Sequence, residues 1–435
     1  MPVHKKGSIT DPANYRPISL TSSACKILEA IVKDRILEHL NANNLLSPQQ
    51  FGFLTKRSTC TQLLECTRDW NKSVASKTQT DIIYLDFAKA FDSVTFSKLI
   101  IKLEYYGITG LTLLWIKDFL HLRKQQVKVG NSLSSNVAVT SGVPQGSVLG
   151  PILFLVYIND LHIEASSVSV KIFADDVKTY TTISNLNSHC SLQSCIDKIA
   201  AWGDAWQLTL SPTKCAVLSI GPTLIPPMYK INGVSIPIVE NFLDLEVKID
   251  QNLNFESHIS DICSKARQRS ALILKCFQSR DKKLLINAFI TFVRPLLEYA
   301  SCVWSPYNLT LKKKLESVQR AFTKKLAGLR NAEYFDRLKT LGIESLETRR
   351  LKSDLCMHYN IVQNRVDLQL SDFFTLNQNS ITRGHNFKLI KQQCRTIFQL
   401  GWFNCRAVNS WNNLKPEAVN ANSLASFKRL CLLTV

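Results

Sequence analysis

Val168-Ser169-Val170-Lys171-Ile172-Phe173-Ala174-Asp175-Asp176 decides the fold. The first six residues read as a β-strand and Val177 to Tyr180 as its return, which puts two aspartates at a hairpin tip. Adjacent carboxylates repel each other. A fold tolerates them readily when a cation neutralises them, and hard divalent ions prefer carboxylate oxygens. A third carboxylate, Asp86, stands 89 residues upstream, where an apolar strand pattern ends in Tyr84-Leu85-Asp86-Phe87-Ala88-Lys89-Ala90-Phe91-Asp92. An Asp-Asp pair alone marks many surface turns. The apolar flanks and the matching upstream strand set this one apart.

Such a trio suits in-line displacement at phosphorus, where attacking and leaving oxygens both develop charge and two divalent ions roughly 3.5–4 Å apart stabilise both. Asp86 and Asp175 are expected to bridge the ions, Asp176 to complete the shell, and the Phe87 carbonyl to add a ligand. Asp92, six residues beyond Asp86, is not expected to bind metal directly. Ser141-Gly142-Val143-Pro144-Gln145-Gly146 is a small, Gly/Pro-punctuated loop whose backbone can approach a ligand closely. Gln145 offers donor and acceptor to a nucleotide or template base, although a tight strand-to-helix connection would explain the glycines and the proline equally.

The bulk numbers agree with a nucleic-acid enzyme. The 435 residues are 45% hydrophobic and 20% charged, as in an ordinary globular protein, but the formal net charge of +19 favours a polyanionic partner. No run approaches the ~18–20 apolar residues of a membrane span, and the start lacks a secretory core. No two of the 13 cysteines lie closer than Cys190 and Cys195, so zinc-ligand spacing is absent and reduced thiols are expected. On charge alone nucleic acid and an anionic membrane surface both qualify, while the missing span and signal predict an intracellular protein; nucleus and cytoplasm, with no membrane partner, are the expectation.

The periodicity predicts a helix over Ala24 to Leu40, helices from Leu99 to Leu122 broken near Gly107 and Gly110, and a β-pair around Gly130-Asn131. A further helix follows over Leu192 to Leu210, with Trp202 and Trp206 expected in the core. Residues 215–250 alternate like strands, and basic helices follow from His258.

Five motifs in chain order carry a family resemblance. They are Asn14-Tyr15-Arg16-Pro17-Ile18-Ser19-Leu20, Gln50-Phe51-Gly52-Phe53, Leu85 to Asp92, Ser141 to Pro151 and Phe173 to Asp176. This set resembles the reverse transcriptase of LINE-type retrotransposons without long terminal repeats, of the jockey-like branch. Tyr299 to Trp304, Leu315 to Arg320 and Trp411 to Pro416 resemble later segments of the same elements.

The resemblance implies an α+β right-hand polymerase. Residues 1–250 would form fingers and an antiparallel-sheet palm, 251–330 a basic helical thumb, and 331–435 an accessory helical region. It implies an RNA template, a DNA primer, dNTPs and two Mg²⁺ ions, with Mn²⁺ as a substitute. Phe91 matches a steric gate against a ribose 2′-hydroxyl, while Arg16 and Lys6 match residues that clamp the triphosphate. Gln145 and Gly146 match the nucleotide-pocket loop, Lys214 a proton donor to pyrophosphate, and Phe242-Leu243 the primer grip.

Asp244 stands where the family usually has glycine, and Ser211-Pro212-Thr213-Lys214 lacks a leading asparagine. The chain opens almost at the first motif, so the resemblance also implies an element without its endonuclease, for which a separate nuclease would be a partner. A catalytically silent nucleic-acid-binding remnant is the alternative reading. A maturase-like splicing cofactor shares the fold, but the later segments disfavour it.

Overall fold

The computed structural model describes residues 2–5, 7–161, 167–377, 384–394 and 397–431. They divide into two compact units. The first takes residues 1–58, 79–219 and 223–239; the second takes 59–78, 220–222 and 240–435.

The first unit is built on β1 (Gln79–Asp86), β2 (Ser169–Phe173), β3 (Asp176–Ile183) and β4 (Ala216–Ile220), in the sheet order β4-β1-β3-β2. β3 runs antiparallel to both β1 and β2. β1 is buried at every position except Asp86, as a central strand covered on both faces must be. Its other aspartate, Asp81, is fully buried and takes hydrogen bonds from Gln79 Nε2 (2.9 Å), Ser219 Oγ (2.6 Å) and the Tyr229 hydroxyl (2.7 Å). One end of β1 is therefore a satisfied polar network. The other leaves Asp86 half-buried at an open edge.

The helices of this unit follow the apolar patterning. α1 spans Ser23–Ala42, and after α2 (Thr59–Ser76), which belongs to the second unit, the predicted Leu99–Leu122 segment forms α3 (Phe96–Tyr105) and α4 (Gly110–Leu120). Gly107 and Gly110 make the break at φ +80° and +60°. α5 (Gly150–Ile158) is buried on every side, which a helix without a polar face requires. Its entry is capped from α1: buried Glu29 accepts the Val148 and Leu149 amides at 2.6 and 3.0 Å, placing negative charge where a helix N-terminus favours it.

α6 (Leu186–Trp206) supplies Trp202 and Trp206. They are half-buried rather than central, and they wall in the Lys102 ammonium, which lies 3.6 Å from the Trp206 ring centre. Lys102 also donates to the Tyr157 carbonyl and to Asp160, and burial pushes its amine down to about 8.

The second unit holds α2 (Thr59–Ser76), the hairpin β5 (Asn241–Asp244) and β6 (Val247–Asp250), and α7 (Glu256–Cys276), α8 (Lys282–Phe292), α9 (Leu309–Lys324) and α10 (Leu346–Val362). Residues 59–78 group here because α2 packs on the short helix Ser301–Trp304, and Arg68 pairs with Asp69 at 2.9 Å and with Asp372. The core of the unit is aromatic, with Trp304, Trp411, Tyr359, Phe289, Phe322 and Phe427 fully buried. Charge is uneven between the units. The second carries 33 of the 53 Lys and Arg residues and 19 of the 34 Asp and Glu, a net +14 of the chain's +19.

Candidate polymerase site

Asp86 and Asp176 are direct partners across the β1–β3 ladder, and Phe173 pairs with Asp176 across β2–β3. Ala174 and Asp175 are therefore the two residues of the hairpin turn, which brings all three carboxylates to one end of the sheet. Like charges directly opposite weaken a ladder, so the sequence opposes its own strand pairing at this position. Ala174 adds strain at φ +56°, in a turn position that glycine commonly takes.

The turn is held from outside. Gln50, almost fully buried, uses Oε1 to accept the Ala174 amide at 3.1 Å and the Gly52 amide at 2.7 Å. Phe51 donates to the Ile172 carbonyl at 2.7 Å, and Ile172 donates to Gln49 at 2.9 Å. At Gly52 a Cβ would lie 2.6 Å from the Ala174 nitrogen, so only glycine fits there. The Gln50-to-Phe53 motif thus supports the carboxylate hairpin, a role not assigned from sequence.

Asp175 is half-buried, and its carboxyl is raised above the usual range, first by burial and then by the charge of Asp86. Arg16 and Lys5 pull it the other way. Arg16 lies exposed on the strand Tyr15–Pro17, opposite Val3. Lys6 lies outside the described residues, and Lys5 is the neighbouring cation that acts on Asp175.

On the other side of β1, the Asp86 carbonyl accepts the Ser211 amide and the Ala88 amide donates to Thr209, both at 2.9 Å. This pair of bonds uses the Asp86 carbonyl and leaves the Phe87 carbonyl out. The Phe87 side chain is buried. The same segment carries Lys214, whose exposed side chain brings Nζ within 3.5 Å of Oδ2 of the half-buried Asp86. Cys215 Sγ accepts the Asp86 amide at 3.4 Å, and burial raises its thiol against the pull of that hydrogen bond.

Phe91 stacks on Phe154 with ring centres 4.3 Å apart. The Ser141-to-Gly146 loop is fixed to the turn that follows Phe91. Val143 donates to the Phe91 carbonyl at 2.9 Å, Gly142 to Val94 at 2.8 Å, and Ser141 Oγ to the Asp92 carbonyl at 3.0 Å. Gly142 (φ +87°) leaves 2.8 Å between a would-be Cβ and the Asp92 backbone. Gln145 Nε2 donates to Asp92 Oδ1 at 2.9 Å, while its carbonyl accepts the Ser19 amide at 2.7 Å. Gly146 (φ +102°) lets that Ser19 segment approach.

Phe242 and Leu243 lie in the second unit, on β5, paired with Ile249 and Lys248 of β6. Leu243 is exposed and Phe242 half-buried. Asp244 is not the strained residue of this hairpin; the positive φ values fall on Leu245 (+45°) and Glu246 (+67°). A two-residue turn with both φ positive prefers Asn-Gly. Replacing Leu245-Glu246 by Asn-Gly should stabilise the protein by about 1–2 kcal/mol in urea unfolding. An unchanged or lower midpoint would show that the turn is not strained.

Among the described residues no group of three or more Asp, Glu, His or Cys side chains is placed to hold a metal ion. The three carboxylates are nonetheless hard donors held together against their own repulsion, and the nearest countercharge on Asp86 is the exposed Lys214 ammonium.

Residues 3–258 match the family described as reverse transcriptase (RNA-dependent DNA polymerase). The chain is similar to the RNA-directed DNA polymerase of the mobile element jockey of Drosophila melanogaster, 28% identical over 352 residues, covering 78% of this chain and 38% of that protein. It is equally similar to the probable RNA-directed DNA polymerase of transposon X-element from the same organism, 28% identical over 356 residues, with the same coverage. The chain spans about two fifths of the length of these curated relatives. Among solved structures, apo telomerase from Candida tropicalis aligns with 74% of this chain and 54% of its own at 10% identity, with a TM-score of 0.41. With its matched segment covering more than half of its length, the chain belongs to the reverse transcriptase (RNA-dependent DNA polymerase) family.

Proposed function

We propose that this protein is an RNA-directed DNA polymerase that extends a primer 3′-hydroxyl with deoxynucleotides during retrotransposition. The observation that carries this reading is the meeting of Asp86, Asp175 and Asp176 at one sheet end, with Asp86 and Asp176 directly opposed. As hard oxygen donors, these three carboxylates would hold two Mg²⁺ ions, or Mn²⁺, with the Phe87 carbonyl as a further ligand. Bound there, the ions would supply charge stabilisation to the attacking and leaving oxygens.

The protein's own groups prepare the reaction around that centre. Arg16 and Lys5 place positive charge for a triphosphate, and a guanidinium suits that task, while Lys6 is assigned to the same clamp on the resemblance alone. Lys214 holds a proton at Nζ beside Asp86, available to the pyrophosphate leaving group. Gln145 and Gly146 line the nucleotide pocket, and Phe242-Leu243 grips the primer. The basic second unit holds template and primer through their phosphates, so affinity should fall steeply with salt. We place residues 251–330 as thumb and 331–435 as accessory region. No described helix is long and apolar enough to cross a membrane. The proposed sites of action are the cytoplasm and nucleus, where an endonuclease would expose the primer.

Purified protein given poly(rA)/oligo(dT), dTTP and Mg²⁺ should incorporate label and stop when the metal is chelated. Incorporation no greater than chelated background, with template binding intact, would leave the nucleic-acid-binding remnant as the function.

Phe91 provides a separate test. Its ring stacks on Phe154, which gives it a packed wall to stand against. Phe91→Val should raise ribonucleotide use relative to deoxynucleotide use by roughly tenfold or more in kcat/KM. An unchanged ratio would remove the gate assignment.

A further inference from the structure

Asp92 is the residue after the gate, and it is half-buried with a single carboxylate oxygen turned to Gln145. A carboxylate only accepts hydrogen bonds, whereas a glutamine amide can present either end. The 2.9 Å contact therefore fixes which end of Gln145 faces Asp92: the NH₂ group goes to Oδ1, and Oε1 points away. We infer that Asp92 is a positioning residue that sets Gln145 as a hydrogen-bond acceptor toward the incoming nucleotide. The inference rests on the polymerase reading above and adds to it a determinant of nucleotide affinity.

Three features make this more than a local contact. The loop is already pinned to the turn by main-chain bonds from Gly142 and Val143 and by Ser141 Oγ, none of which uses the Asp92 side chain. Removing that carboxylate should leave the loop in place and free only the Gln145 amide. Gln145 is also tied through its carbonyl to Ser19, three residues after Arg16. One residue thus connects the turn bearing Phe91 with the segment bearing Arg16. The Asp92 oxygen that holds Gln145 is committed there, 53 residues away in sequence, so Asp92 has a task other than joining the metal carboxylates.

Wild type, Asp92→Ala, Gln145→Ala, the double variant and Asp92→Asn would each be bound to an RNA template with a dideoxy-ended primer. Next-nucleotide affinity would then be measured by equilibrium capture of labelled dNTP. Each alanine variant should weaken capture by about tenfold, and the double variant should be no weaker than Gln145→Ala alone. Asp92→Asn can still accept from Gln145, so it should recover most of the affinity. On unblocked primers KM should rise while kcat stays within about threefold, with an unchanged melting temperature.

Effects that multiply in the double variant, or wild-type affinity in Asp92→Ala, would overturn the inference. Coupled capture without any primer extension by wild type would sink the polymerase reading while Asp92 keeps its role. No dNTP capture by wild type would defeat both.

Discussion

Asp175→Asn should reduce primer extension by on the order of a thousandfold while making the metal-free protein more stable. Asparagine keeps the size of the side chain and the two-residue turn, and the hairpin is held through Gln50 and the Ala174 amide, neither of which the substitution touches. What disappears is one negative charge facing Asp86. The Asp175 carboxyl is raised by burial first and by Asp86 second, so the folded state holds its proton more readily than the unfolded chain does.

The sign of the pH dependence follows. Ionised Asp175 works against folding at neutral pH, fully so above its raised folded-state value, and the penalty vanishes as pH falls below the ordinary aspartate range. In chelator at pH 7 the variant should melt above wild type, and the gap should close toward pH 3. Added Mg²⁺ should raise the wild-type melting temperature more than that of the variant. A variant that melts below wild type in chelator would contradict the account of a repelling carboxylate cluster.

Asp354→Ala should cost about 3–5 kcal/mol, the largest stability effect expected in the second unit. Asp354 on α10 is almost fully buried and takes a two-point contact from Arg406, with Nη2 to Oδ1 at 2.7 Å and Nε to Oδ2 at 2.8 Å. Arg406 also donates to the Cys302 and Gly401 carbonyls at 2.7 and 3.0 Å. Arg350, buried on the same helix, feels Asp354 as a countercharge and Arg406 as a like charge. Removing the carboxylate leaves the buried Arg406 guanidinium without its two-point partner and takes one countercharge from Arg350, which keeps Glu316 and Glu347. Urea unfolding measures the loss, and a cost below about 1 kcal/mol would show that the pair is not a keystone of the unit.

The carboxylates were legible in sequence because the chemistry needs them next to one another or at strand ends, and the β2–β3 and β1 patterns place them there. The Ser141-to-Gly146 loop could be read locally as a close-approach loop from its glycines and proline, whereas Phe91 was singled out through the family resemblance alone. Contacts made through tertiary pairing were not. Gln50 sits in a quoted motif, yet nothing in its neighbours says that its amide oxygen caps a turn 124 residues away. Lys214 meets Asp86 only because the segment before β4 pairs beside β1.

The tail from Cys394 to Trp411 carried no readable role, since Arg406 gains meaning only from a carboxylate on α10. Periodicity also says where an apolar stripe lies, not what covers it. Within α1, Ile36 and Leu40 are buried as patterned, but Ile27, Leu28 and Ile31 are exposed.

The central claim is that three carboxylates at one sheet end drive RNA-templated DNA synthesis. Its most direct measurement is run-off extension of an end-labelled DNA primer on a defined heteropolymeric RNA, with all four dNTPs and Mg²⁺. The account predicts a full-length product whose sequence complements the RNA, made by wild type and absent with Asp175→Asn. An unextended primer with wild type, or equal extension by both proteins, would contradict it.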